Sequence, residues 1–362
     1  MHLSNCNERF VMESWRKVLL GPDETLKTAI EVLNKEEPRI VLVVDGSKRL
    51  LGTITDGDIR RSLLRNCTME TSIDEIMKRN PRVAALGENE AVIKERMIKY
   101  SLLQMPIVDD DKVIQGLEII SYIDEKKIHN NPVLIMAGGF GKRLRPYTED
   151  IPKPLLKVGS KPILETILKQ FIECGFHQFY ISTHYKAEMI REYFGNGDKW
   201  GVKIHYIHED TPLGTAGALG LLPKDLPDLP IVMMNSDLLT SVNYGDLLKF
   251  HQEQSGVASA CVREYDFQVP YGVIEREGYR IKSIIEKPIH KFFVNAGIYV
   301  LEPVLVKKVD GKDYLDMPAL LEQCIKSGDQ VNMFPVHEYW LDMGRIKDYE
   351  QAQTEIHGLI RL

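Results

Sequence analysis

The chain has 362 residues, 44% hydrophobic and 27% charged, which is too long for one compact core and too apolar for a disordered chain, so two domains or more are expected. A formal net charge of −6 argues against non-specific affinity for nucleic acid, which needs a net basic face, yet leaves room for a local basic pocket. Cys6, Cys67, Cys174, Cys261 and Cys324 form no C-x-x-C pair, so neither a disulfide framework nor a zinc site is expected and a reducing compartment suits them.

Met1 to Phe10 is polar and lacks the apolar core of a signal peptide, and no apolar run is long enough to span a bilayer. A cytoplasmic protein without membrane partners is the expectation. The first 130 residues repeat themselves. Val43-Val44-Asp45 followed by Leu51-Gly52 recurs at a shift of 64 as Ile107-Val108-Asp109 followed by Gln115-Gly116. A helical stretch precedes each copy, at 25–34 and 91–100, and duplicated units of this kind bury together what neither buries alone. The two copies resemble a pair of CBS domains, with bounds of 1–66 and 67–129. That resemblance implies an adenine nucleotide held in the cleft between the copies, and homo-oligomerisation through them. Thr55 and Asp58, in Gly52-Thr53-Ile54-Thr55-Asp56-Gly57-Asp58, match the ligand signature of that family, whereas Ile119 and Tyr122 stand at the corresponding places of the second copy. Thr55 and Asp58 also read as the cap of a helix beginning near Ile59.

The polar stretch 126–131 reads as a linker ending at Pro132, and 130–362 as a second domain. Short apolar strands without alternation are expected at 133–136, 179–182, 203–207 and 231–234, with helices between them at 163–174, 187–194 and 216–222. This alternation predicts an α/β domain with a mostly parallel, Rossmann-like sheet. Beyond Asp237 the pattern becomes β-rich, with strands at 258–263, 272–275, 281–285 and 295–301, then helices at 317–327 and 346–357.

Gly138-Gly139-Phe140-Gly141 directly follows the first of these strands, where bare backbone lets successive N–H groups approach a phosphate. Arg143 after Lys142 rules out a P-loop, and Leu144 stands where a dinucleotide fingerprint needs its third glycine. The whole string Ala137-Gly138-Gly139-Phe140-Gly141-Lys142-Arg143-Leu144-Arg145-Pro146, with Thr148 and Pro152-Lys153-Pro154-Leu155, resembles the signature of nucleoside-diphosphate-sugar pyrophosphorylases. The resemblance spans residues 132–357. It implies that Gly138, Gly139 and Gly141 hold nucleotide phosphates, that Arg143 meets the departing pyrophosphate, and that Lys153 bridges attacking and attacked phosphates.

Nucleotidyl transfer needs charge neutralisation, and carboxylate-bound Mg²⁺ is its standard source. Asp237 follows the strand 231–234, and Asp342 follows another short apolar run; both match carboxylates this family uses for the metal, and either also reads as a helix cap. The segment Glu209 to Gly217, with Gly214 and Thr215, is implied to pass along the nucleobase. A carboxylate at Glu209 would accept both donors of guanine, favouring GTP over UTP or CTP. The sugar site is implied at Gly272, Glu286, Lys287, Asn295 and Gly297. The union of a CBS pair with this transferase favours glucosamine 1-phosphate as acceptor, in nonulosonic-acid or surface-glycan synthesis. Mannose and heptose 1-phosphates are alternatives, and so is a catalytically weak nucleotide-sensing protein.

Overall fold

The computed structural model describes residues 15–120 and 128–359. The chain divides into two compact units, Met1–Glu125 and Lys126–Leu362. Among the described residues no helix is long and apolar enough to cross a membrane.

In the N-terminal unit the 64-residue shift reappears element by element. β1 (Leu19–Leu20), the helix Leu26–Lys35, β2 (Ile40–Val44), β3 (Leu50–Thr55), the helix Asp56–Leu64 and β4 (Lys78–Arg79) make the first copy. β5 (Ala84–Ala85), the helix Glu90–Lys99, β6 (Gln104–Val108) and β7 (Ile114–Ile119) make the second. The helices start at matched caps, the Thr25 hydroxyl accepting from Thr28 N and the Asn89 side chain from Ala91 N. Parallel pairing of Leu20 with Val43 recurs as Ala84 with Ile107. The β-bulge between Val43 and Val44 recurs between Ile107 and Val108. Arg49 bridges Val113, Leu50 N donates to Lys112 O at 2.9 Å, and Ile114 N donates to Lys48 O at 3.0 Å. Equivalent residues thus meet each other across a local two-fold axis, beneath which Leu42, Val44, Val108 and Ile114 form one buried cluster.

Asp58 is a helix-starting residue in this unit. Thr55 N and Thr55 Oγ1 both donate to Asp58 Oδ2, at 2.9 and 2.7 Å, and Arg61 pairs with Oδ1 at 2.6 Å. Ile119 ends β7, and Tyr122 lies outside the described residues.

The C-terminal unit begins earlier than the linker expectation had it. His129 N donates to Gly175 O, the His129 ring stacks on Phe176, and Asn131 Nδ2 donates to Pro230 O, so 128–131 is tied into this unit. Its strands are β8 (Val133–Met136), β9 (Lys157–Val158), β10 (Lys161–Pro162), β11 (Gln178–Thr183), β12 (Lys203–His208), β13 (Ile231–Asn235), β14 (Leu238–Thr240), β15 (Ala258–Gln268), β16 (Val273–Glu277), β17 (Arg280–Ile285), β18 (Ile289–Leu301), β19 (Val331–Val336) and β20 (Trp340–Asp342). The main sheet runs β12-β11-β8-β13-β18-β15-β19, with only β18 antiparallel to its neighbours. Both faces of its middle are covered. Val133, Ile135, Val232 and Met234 enter one apolar cluster, while Leu134, Ile231 and Met233 enter the other. The helices Ile163–Glu173, Ala187–Phe194 and Met317–Lys326 lie near their expected bounds. Residues 216–222 are instead a short helix Gly214–Gly217 running into a 3-10 turn Ala218–Leu221. β15 and β18 extend well past expectation as a ribbon from which the β16–β17 hairpin projects.

Candidate active site

The glycine loop leaves β8 at the carboxyl end of the parallel strands, where an open sheet presents its crevice. Ala137 N donates to Ser182 O, tying the loop to β11. Gly141 has φ +63, and a Cβ there would sit 2.9 Å from Thr148 Cγ2, so this turn requires glycine. Gly139 has nothing within 4 Å of a notional Cβ and leaves that side open. Buried Leu144 anchors the 3-10 turn Lys142–Leu144, which carries Arg143.

Four segments then converge. Lys153, only 9% exposed, holds its Nζ 2.5 Å from Asp237 Oδ2. β14 and β20 pair antiparallel with Leu238 opposite Asp342, and Met343 N donates to Asp237 O at 3.0 Å. This ribbon brings the two aspartates together. A Cβ on Gly344 would lie 3.1 Å from Asp342 Oδ1 and 3.4 Å from both terminal nitrogens of Arg143, so the guanidinium reaches the same place. Burial, and then the charge of Asp237, push the Asp342 carboxyl above the usual range, while Lys153 and Arg143 pull the other way. Two crowded carboxylates with oxygen-only donors fit a hard divalent cation, which would relieve their repulsion.

Glu209, 4% exposed, lies under the glycine loop. Ser182 Oγ donates to its Oε1, Leu213 N donates to its Oε2 at 2.9 Å, and a Cβ on Gly138 would come within 3.0 Å of Oε1. The carboxylate therefore braces two loops.

Asp342 also borders a cavity of about 310 Å³, lined by Thr215, Asn235, Asn295, Gly297, Asp316 and Trp340 among others. Asn295 Oδ1 accepts from Gly297 N and Tyr299 Oη, both at 2.9 Å, and burial pushes the Tyr299 phenol up to about 12. Thr215, expected along the nucleotide, lines this cavity; its N donates to Asp316 Oδ1, and its Oγ1 accepts from Met317 N. Gly214 (φ +78) packs where a Cβ would meet Leu315 O at 2.6 Å, so its bareness serves that contact. Gly272, Glu286 and Lys287 do not line the cavity; they sit together, exposed, at the base of the β16–β17 hairpin. Asn235, Ser182 and Asp316 were not singled out from sequence. Asn235 alone had a visible signal, standing two residues before Asp237 at the end of an apolar strand.

The nucleotidyl transferase family model matches residues 132–358. The chain belongs to that family. A CBS domain model matches residues 14–65. Among curated relatives, the mannose-1-phosphate guanylyltransferase catalytic subunit beta of Danio rerio is 32% identical over 225 residues, covering 60% of this chain and 62% of that protein. The mannose-1-phosphate guanyltransferase of Pichia angusta is 33% identical over 228 residues, covering 60% and 61%. The chain thus spans less than two thirds of the length of these relatives. Among solved structures, HddC from Yersinia pseudotuberculosis matches with TM-score 0.50 and 26% identity, over 62% of this chain and 99% of that one. Its complex with GMP-PN matches equally well at 25% identity.

Proposed function

We propose that the C-terminal unit, with bounds 130–362, transfers a nucleoside monophosphate from an NTP to a sugar 1-phosphate and releases pyrophosphate. The convergence of Arg143, Lys153, Asp237 and Asp342 at the mouth of the glycine loop is the observation that carries this reading. An oxygen of the sugar phosphate attacks the α-phosphorus in line, and the bond to the β-phosphate breaks. The nucleophile is already ionised and needs no base. Lys153 holds the reacting phosphates and Arg143 the departing pyrophosphate. Asp237 and Asp342 would hold Mg²⁺, which supplies charge neutralisation when bound.

GTP is the proposed donor. Glu209 under the loop supports it, as do the guanylyltransferase names of the relatives and the GMP-PN complex of HddC. Glucosamine 1-phosphate is the favoured acceptor, because the cavity carries the carboxylate of Asp316 and, among the described residues, no Lys, Arg or His lines it. Mannose 1-phosphate is the second reading, favoured by the names of the relatives. The N-terminal copies, 1–66 and 67–129, are proposed to hold an adenine nucleotide at Thr55 and Asp58 and to join chains into a homo-oligomer. A cytoplasmic location belongs to the same proposal.

Pyrophosphate release from the four NTPs against glucosamine, mannose and heptose 1-phosphates tests the reaction. GTP with one hexose 1-phosphate should dominate. Metal-dependent GTP binding without turnover on any acceptor would replace the enzyme by a nucleotide sensor.

A further inference from the structure

Asn235 is the last residue of β13, held in the sheet between β8 and β18, and it lines the cavity beside Asp342. Its Oδ1 is closed to solvent and has no hydrogen-bond donor among the described residues. A buried carbonyl without a donor is unfavourable, so such an atom needs a reason. The nearby donors are committed elsewhere: Gly297 N and Tyr299 Oη both donate to Asn295 Oδ1. Gly297 (φ +72) makes the arrangement feasible, because a Cβ there would stand 2.8 Å from Asn235 Nδ2. With Asp316 and Asp342 also in the lining, the cavity offers acceptors and asks for donors.

We infer that Asn235 is a specificity-determining residue of the acceptor pocket, its amide turning when sugar binds so that Oδ1, closed to solvent in the free chain, accepts a hydrogen bond from one hydroxyl or ammonium group of the hexose ring. This rests on the proposed reaction and adds to it a residue and a contact. In the free enzyme the unpaired carbonyl is a stored defect that the correct sugar repairs. A sugar lacking that donor leaves it unrepaired, which is how a polar pocket rejects an analogue.

The test is Asn235→Ala in the full chain, with Asn235→Ser as a shorter acceptor. Asn235→Ala should raise KM for the preferred sugar 1-phosphate by ~10–100-fold while kcat and the KM for GTP stay within about twofold. Asn235→Ser should lie between. Among monodeoxy hexose 1-phosphates, one analogue should be poor for the native chain and no poorer than its parent for Asn235→Ala. The ligand-free melting temperature of Asn235→Ala should be equal or higher, since an unpaired buried group is removed. An unchanged acceptor KM, an equal loss on every analogue, or a fall in melting temperature together with kcat would overturn the inference. If the native chain turns over no sugar 1-phosphate, the proposed reaction fails first, and calorimetric binding of glucosamine and mannose 1-phosphates decides. Weaker binding by Asn235→Ala then supports the contact, and no binding by the native chain removes it.

Discussion

Replacing Lys153 with methionine keeps most of the side chain's volume and removes its charge. That charge sits 2.5 Å from Asp237 Oδ2, with side-chain exposures of 11% and 23%, so solvent screens it only in part. Loss of one preorganised charge at a site of phosphoryl transfer typically costs ~10²–10³-fold in kcat, about 3–4 kcal/mol. Two opposite effects should accompany that fall. Lys153 draws the Asp342 carboxyl downward, so the acid limb of the pH–rate profile should move to higher pH in the variant. Lys153 is also a cation among the proposed metal ligands, so the Mg²⁺ concentration giving half-maximal rate should decrease. Steady-state pyrophosphate release across pH 5.5–9 and across a Mg²⁺ titration measures all three. Native-like kcat, or a rise in the Mg²⁺ requirement, would refute the reasoning.

Asp342→Asn should lose at least ~100-fold in turnover and yet raise the melting temperature of the metal-free chain at neutral pH. The Asp342 pKa is higher folded than unfolded, so its contribution to stability is present in acid and lost as pH rises through the folded value; a melting curve at two pH values checks this. Glu209→Gln should lower the GTP-to-UTP ratio of kcat/KM by about tenfold or more, because an amide suits the single flanked donor of uracil; an unchanged ratio would free Glu209 for bracing alone. His251 is 1% exposed between Ser259 Oγ at 2.8 Å and Glu302 Oε1 at 3.1 Å, and burial holds its pKa below the ordinary value. The unfolded chain therefore takes up the proton first, and stability should fall as pH drops below ~6.5, with His251→Gln flattening that slope in urea denaturation.

Sequence alone showed the regular parts of the fold because they rest on local pattern. The run at 133–136 is continuously apolar, the helix at 187–194 carries its own period, and both ends of Ala187–Phe194 were legible. The 64-residue repeat was legible, and the fold carries it further, to matched bulges, since duplicated sequence keeps its register. Failures came where tertiary contact decides. Residues 216–222 look helical but tighten after Gly217, where the chain packs against 313–315. Gly214 and Thr215 were expected along the nucleobase from the resemblance alone; no local pattern shows that Leu315 and Asp316, about a hundred residues away, set their conformations. Asp237 and Asp342 were readable as carboxylates at strand ends, but their meeting depends on two three-residue strands too short to announce a partner.

That short ribbon also fixes when the site comes into being. β14 emerges from the ribosome about a hundred residues before β20, and pairing over such a separation waits on closure of a long loop. Domains fold as they are made, amino-terminal parts first. A nascent chain ending near residue 330 thus has its glycine loop, Lys153 and Glu209, but one aspartate. Such a chain would lack half of the proposed metal site. On the proposed reaction the metal site would stay incomplete until β20 is made, so a chain cut between β19 and β20 should keep every strand of the main sheet and lose turnover.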